Sequence, residues 1–219
     1  MAWCLRMNRR LWIFDLDNTL HNATPHIFPH INRSMTAYLQ KYLQLDEAAA
    51  SALRTHYWQR YGATMSGLMR HHGTDPDHFL WHTHQFPDLP RMVLREPRLR
   101  HVLKALPGRK VVFSNAPGIY AHEVLKLLRV HDLFSDVMAV EHARYRPKPD
   151  SFGFMRLLHR HRMKAAQCVM VEDSLENLRA AKRLGMRTVW VNGGNKGAPY
   201  VDVKIRDVMQ LPGMLHRLN

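Results

Sequence analysis

Cysteine is nearly absent: Cys4 and Cys168 stand far apart with no Cys-x-x-Cys pattern, which excludes a disulfide framework and a thiolate zinc site and leaves two reduced thiols. No apolar run approaches the roughly 20 residues that a bilayer span requires, so no membrane segment is expected. The stretch from Met1 to Arg10 has cations but no apolar h-region leading to a cleavage site. A cytoplasmic location follows as the expectation, with Met1 and Met7 both open as natural starts. Acids are also scarce, 18 against 32 Lys and Arg, for a formal charge of +14. Such a balance draws anions of every kind, from phosphorylated metabolites to nucleic acid. The basic stretches, Arg91 to Arg109 and Arg156 to Lys164, lack the glycine-interrupted aromatics that stack bases, so the surface is read as solvated and nucleic acid is not the expected partner. Repeats and low-complexity tracts are missing too.

What remains is a chain of 219 residues, 46% hydrophobic, enough for a substantial core and suited to one domain carrying an insertion or to two small domains. Leu11 to Phe14 reads as a buried strand. Helical spacing then dominates: Ile31 to Leu43; Glu47 to Tyr61, with Asp46 as cap and Gly62 as terminator; Thr64 to Gly73; and a fourth helix opened by Asp75-Pro76. Pro87, Pro90 and Pro97 mark a return linker. After it, strands at Lys110 to Phe113, Val137 to Val140, Val169 to Val171 and Thr188 to Val191 alternate with helices at Tyr120 to Arg129, Ser151 to Arg162 and Leu175 to Leu184. The pattern predicts an α/β fold with a doubly wound parallel sheet and an inserted all-helical cap, divided as 1–20 and 96–219 for the core and 21–95 for the cap.

Polar residues collect where the strands end, which is where open α/β sheets bind ligands. The first strand stops at Asp15-Leu16-Asp17-Asn18-Thr19, whose two carboxylates share a face in extended chain unless the loop curves. Like charges held that close need a cation or a proton, and Mg²⁺ with a phosphoryl group accounts for them most economically. Ser114 and Asn115 follow the second strand, placed either to hold a phosphate with nearby free amides or simply to cap a helix. Lys148 stands between Pro147 and Pro149, which stiffen the backbone around its charge; an exposed loop lysine is the competing reading. Glu172-Asp173 ends another apolar strand, with Asp173 either a metal ligand or a helix cap. His78 and His82 share a helix face, but no third ligand is suitably spaced, so they are not read as a metal site.

These four motifs, in this order, resemble the signatures of the haloacid dehalogenase-like hydrolase superfamily: D-x-D-x-T, a strand ending in Ser or Thr, a lysine, and a strand ending in an acidic pair. The resemblance covers nearly the whole chain. It implies Asp15 as nucleophile, Asp17 as general acid and base, Thr19 as a supporting hydroxyl, Ser114, Asn115 and Lys148 as phosphate-binding groups, and Mg²⁺ held by Asp15, the carbonyl of Asp17 and Asp173, directly or through water; Glu172, read from its place in the acidic pair, stands beside Asp173 at the metal or acts through water. Phe14 to Leu20, Tyr61-Gly62-Ala63-Thr64-Met65-Ser66-Gly67-Leu68 and Asp173-Ser174-Leu175-Glu176-Asn177 are similar to the pyrimidine 5′-nucleotidase branch. That likeness implies a small phosphorylated substrate, a nucleoside monophosphate, with Tyr61, Thr64 and Met65 as cap specificity candidates. Glu172-Asp173 departs from the Asp-Asp pair common in that branch and matches sugar-phosphate phosphatases and mutases. A dehalogenase would lack Asp17, and a phosphonate-cleaving enzyme would need a Schiff-base lysine where the helical block offers only Lys41. A catalytically idle phosphate- or nucleic-acid-binding protein is the alternative of another class. Oligomeric state is not readable from one chain.

Overall fold

A computed structural model describes residues 10–191 and 197–218; Cys4, Met1 and Met7 lie outside the described residues. β1 (Leu11–Phe14), β2 (Arg109–Phe113), β3 (Asp136–Met138), β4 (Cys168–Glu172), β5 (Arg187–Val191) and β6 (Val203–Ile205) form one parallel sheet in the order β3-β2-β1-β4-β5-β6. β1 is central, with Ile13 opposite Val111 on one side and Met170 on the other. Helices α1 (Ile27–Leu43), α2 (Glu47–Tyr61), α3 (Thr64–His72), α4 (Pro76–Thr83) and α5 (Leu89–Met92) lie between β1 and β2 in the chain. They are followed by α6 (Leu99–Ala105), α7 (Gly118–Leu127), α8 (Ser151–His161) and α9 (Leu175–Arg183), which alternate with the strands.

Both faces of the sheet are covered. Trp12 and Phe14 pack with α6, α7 and the segment Val208–Leu218, while Leu11 and Ile13 pack with Phe154 of α8 and Leu178 of α9. A strand buried on both faces has no polar side to show, which is why β1 is a continuous apolar run.

Three local readings are corrected. β3 stops at Met138 rather than Val140, because Ala139 gives its N–H to His142 Nδ1 at 3.0 Å and Val140–Ala143 turns into a 3₁₀ segment. Helix α1 starts at Ile27, four residues ahead of the predicted Ile31; Pro29 falls in its first turn, where a missing N–H costs nothing. β6, too short to display a period, extends the sheet beyond the predicted strands, and the 3₁₀ segment Val208–Leu218 that follows packs into the core.

The helical block has its own core of Leu39, Tyr57, Leu68 and Phe79. It opens and closes its helices as the sequence indicates: Asp46 Oδ1 accepts from Ala49 N–H at 2.8 Å, and Gly62, at φ 77°, ends α2. His78 Nδ1 lies 2.8 Å from the Tyr38 hydroxyl and His82 Nε2 lies 3.3 Å from that of Tyr42, so tyrosines are the partners of both rings. Val140, which lies outside the helical block, joins this core, and Tyr145 OH donates to Asp77 Oδ1 at 2.5 Å.

Gly67 is where α3 meets α2 most tightly, since an added Cβ would lie 2.2 Å from Tyr57 Cγ, too close for any side chain. Gly67→Ala should therefore cost about 1–3 kcal/mol through overpacking, read as a lowered midpoint in denaturant unfolding. Unchanged stability would refute this packing.

Candidate active site

The backbone carries the first two polar groups straight off the sheet. Asp15 N–H donates to Val171 O at 3.0 Å and Ser114 N–H to Met138 O at 3.0 Å, each extending a ladder one residue past its strand. Asp15 thereby stands beside the end of β4, where Glu172 closes the strand and Asp173 follows.

Lys148 reaches this point from the loop before α8 and is buried, at 3% exposure, so the exposed-loop reading fails. Its ammonium donates to Asp15 Oδ1 at 2.7 Å, Glu172 Oε2 at 2.7 Å and Phe113 O at 2.8 Å. All three N–H groups are thus engaged, and the contact with Asp15 is the one expected of this lysine. Asn115 Oδ1 accepts from Lys148 N–H at 2.7 Å and its Nδ2 donates to Lys148 O at 3.1 Å, so the carboxamide holds the lysine's backbone. Ser114 Oγ accepts from Ala116 N–H at 3.0 Å, and the residue is 2% exposed.

Asp15, Glu172 and Asp173 offer carboxylate oxygens all within 4.8 Å of one another. One ammonium faces three carboxylates in a buried setting. Burial, followed by the charge of Glu172, pushes the Asp15 carboxyl up to about 7 against the pull of Lys148. Burial likewise raises Glu172 to about 6, Lys148 opposing it and neighbouring Asp173 adding to it. Burial presses Lys148 to lose its proton, yet Asp15 and Glu172 overcome it and hold the ammonium above the ordinary lysine value. The cluster therefore lacks positive charge, and hard carboxylate oxygens suit a hard divalent cation. The cap of α9 is Ser174, whose Oγ accepts from Asn177 N–H at 3.5 Å, so Asp173 is not spent there. Glu172 Oε1 accepts from Ser174 N–H at 3.2 Å. The Thr19 hydroxyl is buried and has no hydrogen-bond partner, a donor in want of an anion.

Asp17 does not join the cluster through its carboxylate. The chain turns after Leu16, with Leu20 N–H donating to Leu16 O at 2.9 Å and Asn18 at φ 59°. Asp17 Oδ1 instead accepts from Tyr120 OH at 2.6 Å and lies 3.0 Å from His21 Nε2. Burial, then Asp17, drives the Tyr120 hydroxyl far above the ordinary tyrosine value, so it stays a donor. Neither partner was anticipated. His21 carries a signal, four residues after Asp17; Tyr120, 103 positions away, carries none.

Of the cap candidates, Thr64 and Met65 face inward: both are 5% exposed, Thr64 Oγ1 donates to Arg54 O at 3.0 Å, and Met65 belongs to the helical core. They are packing residues, not cleft residues. Tyr61 does line a groove of about 550 Å³, with Ser66, Met69 and Arg70 of α3 facing the loop Arg144 to Asp150.

A family model described as haloacid dehalogenase-like hydrolase matches residues 12–191. The chain belongs to this family. Phosphate metabolism protein 8 of Saccharomyces cerevisiae is 25% identical over 194 residues, covering 81% of this chain, and the match spans 60% of the yeast protein's length. A phosphoglycolate phosphatase of Aliivibrio fischeri is 24% identical over 211 residues, 88% of each chain. Among solved structures, a phosphatase of the same superfamily from Thermococcus onnurineus superposes with a TM-score of 0.68 at 21% identity, over 94% of this chain and 97% of the other. That likeness concerns the fold. For this member of the family, among the described residues, no helix is long and apolar enough to cross a membrane.

The raised carboxylates set a pH dependence. Asp15 and Glu172 bind protons more tightly folded than unfolded, so the metal-free protein loses their contribution to stability as pH rises from about 4 through about 7. A divalent cation compensates the charge that appears. Magnesium should therefore raise Tm more at about pH 8 than at about pH 5 in thermal melts. An equal or smaller rise at the higher pH would refute the cluster as a cation site.

Proposed function

We propose that the protein is a Mg²⁺-dependent phosphomonoester hydrolase that works through an aspartyl-phosphate, with nucleoside 5′-monophosphates, pyrimidines above all, as substrates. The observation that carries this reading is the pairing of buried Asp15 with Lys148 beside an acidic cluster, while Asp17 is held separately by Tyr120. A nucleophile and a proton carrier are thus kept in different electrostatic settings.

Asp15 attacks phosphorus in line, forming an O–P bond as the bond to the leaving oxygen breaks. Asp17 gives its proton to the departing alkoxide. In the second half, Asp17 takes a proton from water, whose oxygen displaces Asp15 from phosphorus and releases inorganic phosphate. Lys148 offsets the repulsion between Asp15 and the incoming phosphate. Thr19 and Ser114 supply hydroxyls to the phosphate, with backbone amides near Asn115. Asp15, Asp173 and the Asp17 carbonyl would hold Mg²⁺, with Glu172 acting through Lys148 and water. When bound, the ion supplies Lewis-acid neutralisation of the phosphoryl oxygens.

We place the leaving group in the groove walled by Tyr61, Ser66 and Met69, with residues 21–95 as the cap that sets specificity. The motif around Tyr61 to Leu68 favours a pyrimidine nucleotide. A second reading, a sugar-phosphate or phosphoglycolate-type phosphatase, is favoured by Glu172-Asp173 and by the relative named phosphoglycolate phosphatase.

Phosphate release from UMP, CMP, AMP, GMP, sugar phosphates and phosphoglycolate decides between them. UMP and CMP should exceed the purine nucleotides by about tenfold or more in kcat/KM, and chelation should abolish release. Preference for phosphoglycolate or a sugar phosphate would move the assignment to the second reading. Asp15→Asn should lower kcat at least about a thousandfold with the protein still folded, and Asp17→Asn about a hundredfold. Near-normal turnover by Asp15→Asn would sink the covalent mechanism.

A further inference from the structure

Tyr120 makes contacts on two sides of the site. Its hydroxyl donates to Asp17 Oδ1 at 2.6 Å, while its ring lies 5.1 Å from that of Phe86 and 6.0 Å from that of His84. The residue is 2% exposed. Phe86 and His84 follow α4, in the stretch by which the chain leaves the helical block. His84 is itself pinned, with Nδ1 3.2 Å from Leu80 O and 3.0 Å from Thr83 Oγ1. From the other flank, His21 Nε2 meets the same Asp17 oxygen at 3.0 Å. Oδ1 is thus gripped from two sides, and neither grip involves Oδ2.

Asp17 sits on a curved loop, and its carboxylate would otherwise sample several rotamers. A short hydrogen bond to a carboxylate is charge-assisted and directional, and a proton carrier is effective only within a narrow range of geometries. We propose that Tyr120 is a positioning residue: it holds Asp17 in the orientation that delivers a proton to the leaving oxygen, and it ties that orientation to cap docking through Phe86 and His84. This inference rests on the phosphomonoesterase reading above.

The discriminating property is the leaving group. An alkyl phosphate needs a proton on its departing oxygen, whereas the nitrophenolate of p-nitrophenyl phosphate leaves without one. kcat/KM reports the first half-reaction alone and so isolates proton delivery. Tyr120→Phe keeps the ring and removes only the hydroxyl. It should lower kcat/KM for an alkyl phosphate by about 30-fold and for p-nitrophenyl phosphate by less than about threefold. Equal losses on both esters, or none on either, would overturn the proposal.

Two further variants guard against a trivial result. In an Asp17→Asn background, Tyr120→Phe should change alkyl phosphate turnover by less than about twofold, because the group it positions is gone. A full multiplicative loss there would show that Tyr120 does not act through Asp17. Phe86→Ala, which leaves the hydroxyl in place, should give the same leaving-group-selective loss at about fivefold; a uniform loss, or none, would break the link to the cap. Wild-type protein that hydrolyses neither ester removes the phosphomonoesterase reading and this inference with it, whereas wild-type turnover with a uniform Tyr120→Phe effect removes the inference alone.

Discussion

The buried Lys148 ammonium is the interaction on which the site depends. It joins the ends of three neighbouring strands: Asp15 beyond β1, the Phe113 carbonyl at the end of β2 and Glu172 at the end of β4. Without it, Asp15, Glu172 and Asp173 would crowd like charge into a buried volume. The cost of burying a lysine is met by three hydrogen bonds, two of them to carboxylates. Asn115 secures the lysine in turn through a reciprocal pair of bonds to its backbone. A residue type usual in caps and phosphate loops is here a brace for another residue.

This arrangement gives the two acids of the first motif different partners. Asp15 shares its ammonium with Glu172 in a setting that raises both carboxyls, while the carboxylate of Asp17, two residues on, is held by Tyr120 and His21. The turn at Asn18 lies directly after Asp17, in the loop that carries both acids off the sheet. The helical block contributes at a distance. Its core closes around Leu39, Tyr57 and Phe79, with Val140 and Tyr145 from outside the block packed against it and Tyr145 bonded to Asp77. The stretch that leaves it lays Phe86 against Tyr120.

Membership of the haloacid dehalogenase-like family sets the class of chemistry, and fold similarity at 21% identity sets no more than the architecture. The particulars of this chain are local: the wall of the groove at Tyr61, Ser66 and Met69, and the Tyr120–Asp17–His21 contacts.

The sequence by itself determined the elements and the order of the polar groups. Apolar runs that end in Asp15, Ser114 and Glu172-Asp173, capped helices at Asp46 and Asp75, and a switch from helical spacing to strand-helix alternation are local patterns, legible because hydrophobic period and cap chemistry act over a few residues. Tertiary structure decided everything that required residues far apart to meet: the burial of Lys148, the use of Asn115 as its brace, the inward packing of Thr64 and Met65, and Tyr120 on Asp17. It also set the end of β3 and the addition of β6, where short segments carry too few residues for a period. The physical reason is the same throughout. Periodicity tells which face of an element is apolar, but which neighbour that face meets, and how a loop turns a side chain, is settled only when the elements pack.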